Sequence, residues 1–175
     1  MRLATFNLES LDLGPGAGGK AHIAFATRAA VLRPALERLD ADILCLQEVN
    51  GQHVAGERER RLIALDRLLE GTRYQGYARA VASAPGGHGI SDVHNLVTLS
   101  RFPIKDVREV LHDHVAPPVH TSITAEPGAG EQVPVRFDRP LLVTEIAVPE
   151  APPVWVVNVH LRAPLASPVP GQKSG

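Results

Sequence analysis

The chain has 175 residues, a formal net charge of −1, 44% hydrophobic residues and 21% charged residues. These values are typical of one globular domain, and the near-zero charge excludes a global attraction to nucleic acid or anionic lipid. A single cysteine excludes an internal disulfide, the N-terminus lacks the pattern of a signal peptide, and no apolar run approaches the roughly 20 residues of a membrane span. We therefore expect a cytoplasmic protein without a membrane partner.

The first fifty residues predict a β-α-β unit. Residues 2–8 predict a strand with Asn7 near its C-terminal end. Apolar residues between positions 25 and 39 recur at spacings of 4, 3, 4 and 3, which predicts a helix that Pro34 kinks or restarts. The apolar run within 42–48 predicts a strand buried on both faces. Two strands joined by a helix are expected to be parallel neighbours.

The rest of the chain predicts one more helix and several strands. Residues 62–69 predict the helix, which Gly71 ends. Strands are predicted at 74–81, 96–100, 107–111, 141–148 and 154–161, the last two forming a hairpin. Residues 112–139 are rich in proline, glycine and histidine and predict a long irregular connection, which in a compact domain tends to be functional or mobile.

Three predicted strands end in polar side chains that suit hydrolysis. Asn7 ends the first strand, Glu48 directly follows the buried apolar run, and His160 ends the last strand. Asn7 and Glu48 are expected at the same edge, because their strands are parallel neighbours. A carboxylate, an amide oxygen and a proton donor at one sheet edge indicate a metal-assisted hydrolase.

Four segments, taken together, resemble the endonuclease/exonuclease/phosphatase superfamily, which has the fold of deoxyribonuclease I. In chain order they are TFNL at 5–8, DILCLQEV at 42–49, LSRFPI at 99–104 and VNVHL at 157–161. The resemblance implies an α+β fold, a four-layer α/β/β/α sandwich with two mixed β-sheets. It also implies divalent-metal hydrolysis, with Mg²⁺ or Mn²⁺ as cofactor and a phosphodiester or phosphomonoester as substrate, including the option of nucleic acid.

The resemblance also implies roles for individual residues. Glu48 matches the metal-binding glutamate, and Asn7 matches the asparagine that helps hold the metal site and the phosphate. His160 matches the histidine that contacts the scissile phosphate or assists the leaving group. Apart from the resemblance, Arg101 and Arg139 could help hold phosphate, although surface ion pairs are the more common role of arginine.

The sequence departs from the family pattern in three places. It contains neither the Gly-Asp-x-Asn segment nor the Ser-Asp-His segment of family members, and it has His94-Asn95 where many members have a glycine. We therefore expect residues 1–175 to be a single domain that is truncated at its C-terminus, with the final strands and motifs absent. Because those segments position and activate the nucleophile, the chain alone is expected to be almost inactive.

Three other interpretations come from different classes of protein. Gly14–Lys20 resembles a phosphate-binding P-loop, although Ala21 lacks the hydroxyl that would coordinate Mg²⁺. The histidines at 112, 114 and 120 have a spacing that zinc could use. The chain could also be a catalytically dead interaction module.

Overall fold

The computed structural model describes residues 1–14, 23–84, 86–87, 89–121, 130–137 and 139–161. In chain order the elements are β1 (Leu3–Leu11), α1 (Phe25–Leu39), β2 (Ile43–Val49), α2 (Ile63–Leu69), β3 (Ala78–Val81), β4 (Asn95–Ser100), β5 (Ile104–Val110), β6 (Val119–Thr121), β7 (Gln132–Pro134), β8 (Leu141–Ile146) and β9 (Val154–Asn158). No helix within the described ranges is long and apolar enough to cross a membrane.

The first sheet has the order β1-β2-β4-β3 and is mixed. β1 and β2 are parallel and joined through α1, which confirms the predicted β-α-β unit. β4 runs antiparallel to β2. The C-terminal ends of β1 and β2 therefore meet the N-terminal end of β4 at one edge, which we call the upper edge.

The second sheet has the order β5-β8-β9, and its strands are antiparallel. The predicted hairpin of the last two strands is confirmed. β6 and β7 pair with each other inside the stretch predicted to be irregular. That prediction is wrong at these two strands, because three-residue strands with mainly exposed side chains leave too short a pattern to recognise.

α1 is a single helix, although Pro34 lies inside it. The helix therefore does not restart at Pro34, which is exposed, and the kink stays a prediction. α1 ends at Asp40, whose left-handed backbone has a φ of 47°. The chain then turns directly into β2.

β2 is the centre of the core because it is buried on both faces. Leu44 and Leu46 pack with the helices, in the same cluster as Leu36 and Leu65. The alternate residues of β2 face the other way and form a cluster with the second sheet; its members are Ile43, Cys45, Ile146 and Val156. The molecule is therefore an α+β sandwich, as the sequence predicts.

Candidate active site

Asn7, Glu48 and His160 come together at the upper edge. The Asn7 amide nitrogen donates to Glu48 Oε1 at 3.0 Å, and His160 Nε2 lies 3.3 Å from the same oxygen. Asn7 Nδ2 and His160 Nε2 are 3.4 Å apart. The sequence predicts His160 inside the last strand. In the structure β9 ends at Asn158, and His160 lies two residues beyond it. The three side chains thus form one cluster across the two sheets.

The backbone turns Glu48 out of the apolar strand. Its φ is 58°, and the register of β2 with β4 shifts between Leu46 and Val49. Such a bulge re-aims a side chain, and a non-glycine residue in the left-handed region costs of order 1–3 kcal/mol. The surrounding contacts therefore have to hold Glu48 in place.

A second irregularity, in β1, supplies those contacts. Glu9 and Ser10 have φ values of 49° and 53°. This conformation points the Ser10 backbone N–H at Glu48 Oε2, 2.9 Å away, and brings the Ser10 hydroxyl within 3.3 Å of the same oxygen. The Asn7 amide oxygen accepts from the Glu9 N–H at 2.8 Å. The bulge therefore orients both the carboxylate and the amide.

Arg28 of α1 holds the bulge of β1. Its guanidinium donates to three successive carbonyl oxygens: Leu8, Glu9 at 2.7 Å and Ser10 at 3.1 Å. Charged donors make the stronger protein hydrogen bonds. Arg28 thus connects the crossover helix to the segment that contacts Glu48.

The pKa of Glu48 lies below its usual value. Burial raises it, but the hydrogen bond from Asn7, the electrostatic influence of the His94 and His160 rings, and the hydrogen bond from Ser10 together outweigh burial. Glu48 is consequently ionised at neutral pH.

Arg139 contacts His160 from the segment before β8. Its guanidinium donates to His160 Nδ1. Burial lowers the pKa of His160, the Arg139 charge lowers it further, and the Glu48 carboxylate acts in the opposite direction. His160 is therefore favoured in its neutral form.

His94 completes the cluster from the residue before β4. Its φ is 59°, and its backbone N–H donates to Asn50 Oδ1 at 3.1 Å. Nε2 lies 3.2 Å from Ser10 Oγ, and Nδ1 accepts from Arg139 at 3.3 Å.

A buried pair of amides joins the two sheets beneath the cluster. Gln47 donates to Asn158 Oδ1 at 2.7 Å, and Asn158 donates to the carbonyls of Leu46 and Val97, each at 3.1 Å. Gln47 precedes Glu48, and His160 follows two residues after Asn158. This bridge therefore sets the separation of Glu48 and His160.

The cluster lies in a cleft of about 790 Å³. Glu48, His94, Arg139 and His160 line its charged end. The rest of the wall is mixed: it includes the apolar Ala82, Ile90 and Leu96 as well as the charged Arg60 and Asp92. The described site thus has room for a small substrate beside its ionised carboxylate.

A comparison of sequences places the chain in a known family. A sequence model of the Endonuclease/Exonuclease/phosphatase family matches residues 4–172. The chain belongs to this family. The match covers all three predicted site residues and confirms the resemblance seen in the sequence motifs. No curated protein sequence matches the chain.

Solved structures with the same fold are distant in sequence. An endonuclease/exonuclease/phosphatase family protein from Leptotrichia buccalis is 14% identical with a TM-score of 0.53, over 91% of this chain and 54% of that one. An endonuclease/exonuclease/phosphatase from Beutenbergia cavernae is 24% identical (TM-score 0.49; 93% and 38% covered). Truncated Caenorhabditis elegans TDP2 is 16% identical (TM-score 0.47; 93% and 45% covered). The chain spans about half the length of these structures or less.

The backbone at His94 is unusual for a residue with a side chain. Its φ of 59° is one that glycine adopts freely. His94 adopts this left-handed conformation with an imidazole that reaches Ser10. Sequence reasoning treated His94 only as a departure and missed Ser10 entirely. The sequence does show that His94 directly precedes a buried strand. This places His94 near Glu48 only if β4 is antiparallel to β2, which the sequence does not show.

Other residues suggested by the sequence lie elsewhere. Arg101 pairs with Asp42 at 3.1 Å, at the opposite end of β4 from His94, so it is not part of the cluster. The His112 ring stacks on Phe137 and accepts its backbone N–H at 3.0 Å. Residues 15–22, which include Lys20 and most of the predicted phosphate loop, lie outside the described part of the chain.

The cluster can be tested for its fit to the divalent metal that the family implies. Among the residues that the structure describes, no three His, Cys, Asp or Glu side chains are arranged to hold a metal ion. Mg²⁺, however, is commonly bound through one or two carboxylates together with waters and substrate phosphate. Glu48 is such a carboxylate, ionised and lining the cleft. The Asn7 amide oxygen accepts from the Glu9 backbone N–H, and the Asn7 amide nitrogen donates to Glu48. Asn7 therefore orients the Glu48 carboxylate in this structure. The donor set fits a weakly held hard cation.

Proposed function

We propose that this protein is a divalent-metal-dependent phosphoester hydrolase whose site is formed by Glu48, Asn7 and His160. The observation that supports this most strongly is the meeting of these three side chains within 3.4 Å at the cleft, in a chain of this family. Glu48 is the proposed ligand of Mg²⁺ or Mn²⁺. When bound, the metal would neutralise charge on the phosphoryl oxygens.

The other residues have roles that follow from their contacts. Asn7 holds the carboxylate of Glu48 through its amide nitrogen. His160 presents Nε2 to the same carboxylate at the cleft, where it can donate a hydrogen bond to a phosphoryl or leaving-group oxygen. Arg139 orients the His160 ring and adds positive charge for an anionic substrate.

We propose a small phosphodiester or phosphomonoester as substrate rather than a long nucleic acid. The net charge is −1, and the cleft residue Arg60 is paired with Asp92 at 2.9 Å. A nucleic-acid groove would use cations free to contact successive phosphates. Preferential turnover of single-stranded DNA over bis(p-nitrophenyl) phosphate would overturn this choice.

The direct test is metal binding by the wild type and by Glu48→Gln, measured by Mn²⁺ electron paramagnetic resonance. Glu48→Gln preserves the side-chain shape and removes the charge, so we expect a loss of Mn²⁺ affinity of at least about 10-fold. Glu70→Gln, on the exposed end of α2, is the matched control and should bind like the wild type.

Turnover provides a second measurement. With phosphoester substrates and Mg²⁺, residues 1–175 are expected to react slowly, and Glu48→Gln and added EDTA should each remove the residual rate. A rate that survives both changes would contradict the proposed function. Rapid turnover that Glu48→Gln abolishes would support the function and contradict the expected slow rate.

A further inference from the structure

Arg139 donates to both histidines of the cluster, and this determines where their hydrogens lie. Its guanidinium contacts Nδ1 of His160 and Nδ1 of His94. A guanidinium has five N–H donors and no acceptor, so each of these nitrogens must offer a lone pair. Each imidazole therefore carries its hydrogen on Nε2.

Both histidines reach the Glu48 carboxylate through Nε2, by different routes. His160 Nε2 lies 3.3 Å from Glu48 Oε1. His94 Nε2 donates to Ser10 Oγ at 3.2 Å, which leaves the Ser10 hydroxyl hydrogen free to donate to Glu48 Oε2 at 3.3 Å. The contact of Asn7 Nδ2 with His160 Nε2, at 3.4 Å, is longer than an ordinary hydrogen bond, so the charged Arg139 donor on Nδ1 decides the tautomer.

These contacts leave Glu48 with a free lone pair. Oε1 accepts from Asn7, and Oε2 accepts from the backbone and hydroxyl of Ser10, while His160 Nε2 lies 3.3 Å from Oε1. A carboxylate has about four lone-pair sites, so one site on Oε1 is left for a cation. A ring of polar contacts runs from Arg139 through both histidines to the two oxygens of one carboxylate.

We propose that Arg139 fixes His94 and His160 as matching Nε2–H tautomers, and that His94 is a positioning residue that orients the Glu48 carboxylate through Ser10. The tautomers follow from the contacts alone. The consequence for metal binding rests on the proposed function. Partners of metal ligands commonly change metal affinity or activity by about 10- to 100-fold when they are removed.

The tautomers can be measured on the protein without metal or substrate. Long-range ¹H–¹⁵N spectra of ¹⁵N-labelled protein, recorded well above the ordinary imidazole pKa, distinguish a protonated from an unprotonated ring nitrogen. Single His→Gln variants would assign the signals among the eight histidines. We expect His94 and His160 each to show protonated Nε2 and unprotonated Nδ1, and Arg139→Met to give mixed tautomers. Protonated Nδ1 on either ring of the wild type would overturn the proposal.

Two variants of His94 separate positioning from a merely structural role. Asparagine tolerates the left-handed backbone better than histidine, but its amide is too short to replace Nε2. His94→Asn should therefore keep the melting temperature and weaken Mn²⁺ binding by about 10-fold or more. His94→Gln, whose amide nitrogen can take the place of Nε2, should stay within about 3-fold of the wild type.

The outcomes distinguish this inference from the proposed function. Wild-type Mn²⁺ affinity in His94→Asn would show that His94 does not position Glu48 and would overturn the inference. A wild type that binds no Mn²⁺ would overturn the proposed function, whereas the tautomer signals would still decide whether both histidines carry their hydrogen on Nε2. If Arg139→Met does not fold, the wild-type spectra and the His94 variants remain decisive.

Discussion

The two sheets that supply the site differ in how deeply their strands are buried. The first sheet supplies Glu48 and His94 from β2 and from the start of β4, strands whose side chains are almost completely buried. The second sheet supplies His160 from beyond β9, whose outward residues Trp155 and Val157 are 49% and 52% exposed. The strands of the first sheet are therefore held by the packing of their buried side chains. The position of His160, in contrast, depends on a few specific contacts between the second sheet and the first.

Removing the amide bridge between Gln47 and Asn158 should have the largest effect on stability, because this bridge joins the two sheets. Asn158→Leu leaves Gln47 and two backbone carbonyls without their buried partner. Each unpaired buried group costs about 1–3 kcal/mol, so the free energy of unfolding should fall by about 3 kcal/mol in urea denaturation. A loss below about 1 kcal/mol would show that the sheets do not depend on this bridge.

A pair of valines tests the difference in burial directly. Val97 of β4 is 0% exposed, and Val157 of β9 is 52% exposed. Val97→Ala should lower the free energy of unfolding by about 2 kcal/mol, whereas Val157→Ala should change it by less than about 0.5 kcal/mol. Equal effects in thermal denaturation would contradict the proposed asymmetry.

Gly51 tests how tightly the cleft wall packs on the first sheet. A Cβ at this position would clash with the Ser91 carbonyl oxygen and stand 2.8 Å from Ile90 Cγ2. Gly51→Ala should therefore cost about 2 kcal/mol, measured by denaturant unfolding. Gly76→Ala, where an added Cβ meets nothing within 4 Å, is the control and should be nearly neutral.

Arg28 gives the smallest expected loss of stability but a distinct loss at the site. Arg28→Met keeps the stem and removes the donors to the bulge of β1, which should cost about 1.5 kcal/mol. Because Ser10 would then be less well held, Mn²⁺ affinity should also fall. Arg38→Met, on an exposed position of the same helix, should leave both quantities unchanged. Normal Mn²⁺ affinity in Arg28→Met would show that the bulge of β1 keeps its conformation without Arg28.

The sequence predicts the parts of the fold that depend on local patterns. The spacing of apolar residues predicts α1 with its observed ends, and the run before Glu48 predicts β2 as a buried strand. The parallel crossover brings Asn7 and Glu48 to the same edge, as predicted. The meeting of His160 with Glu48 is also observed, while the proposed roles of these residues remain predictions.

The rest of the site depends on features that a linear pattern does not carry. Ser10 reaches Glu48 only because two residues of β1 adopt left-handed backbone, and His94 reaches Ser10 only because β4 is antiparallel to β2. Arg139 acts through two histidines that are 45 and 21 residues away in the chain. Contacts of this kind are set by tertiary packing and become visible only in three dimensions.

Four of the six non-glycine residues with positive φ in the described part of the chain belong to the site: Glu9, Ser10, Glu48 and His94. Selection for heat resistance alone should therefore favour glycine or asparagine at these positions, since such replacements relieve unfavourable backbone geometry. A library screened only for survival on heating would then accumulate substitutions around the cleft, and so reveal the location of the proposed site before any substrate is known.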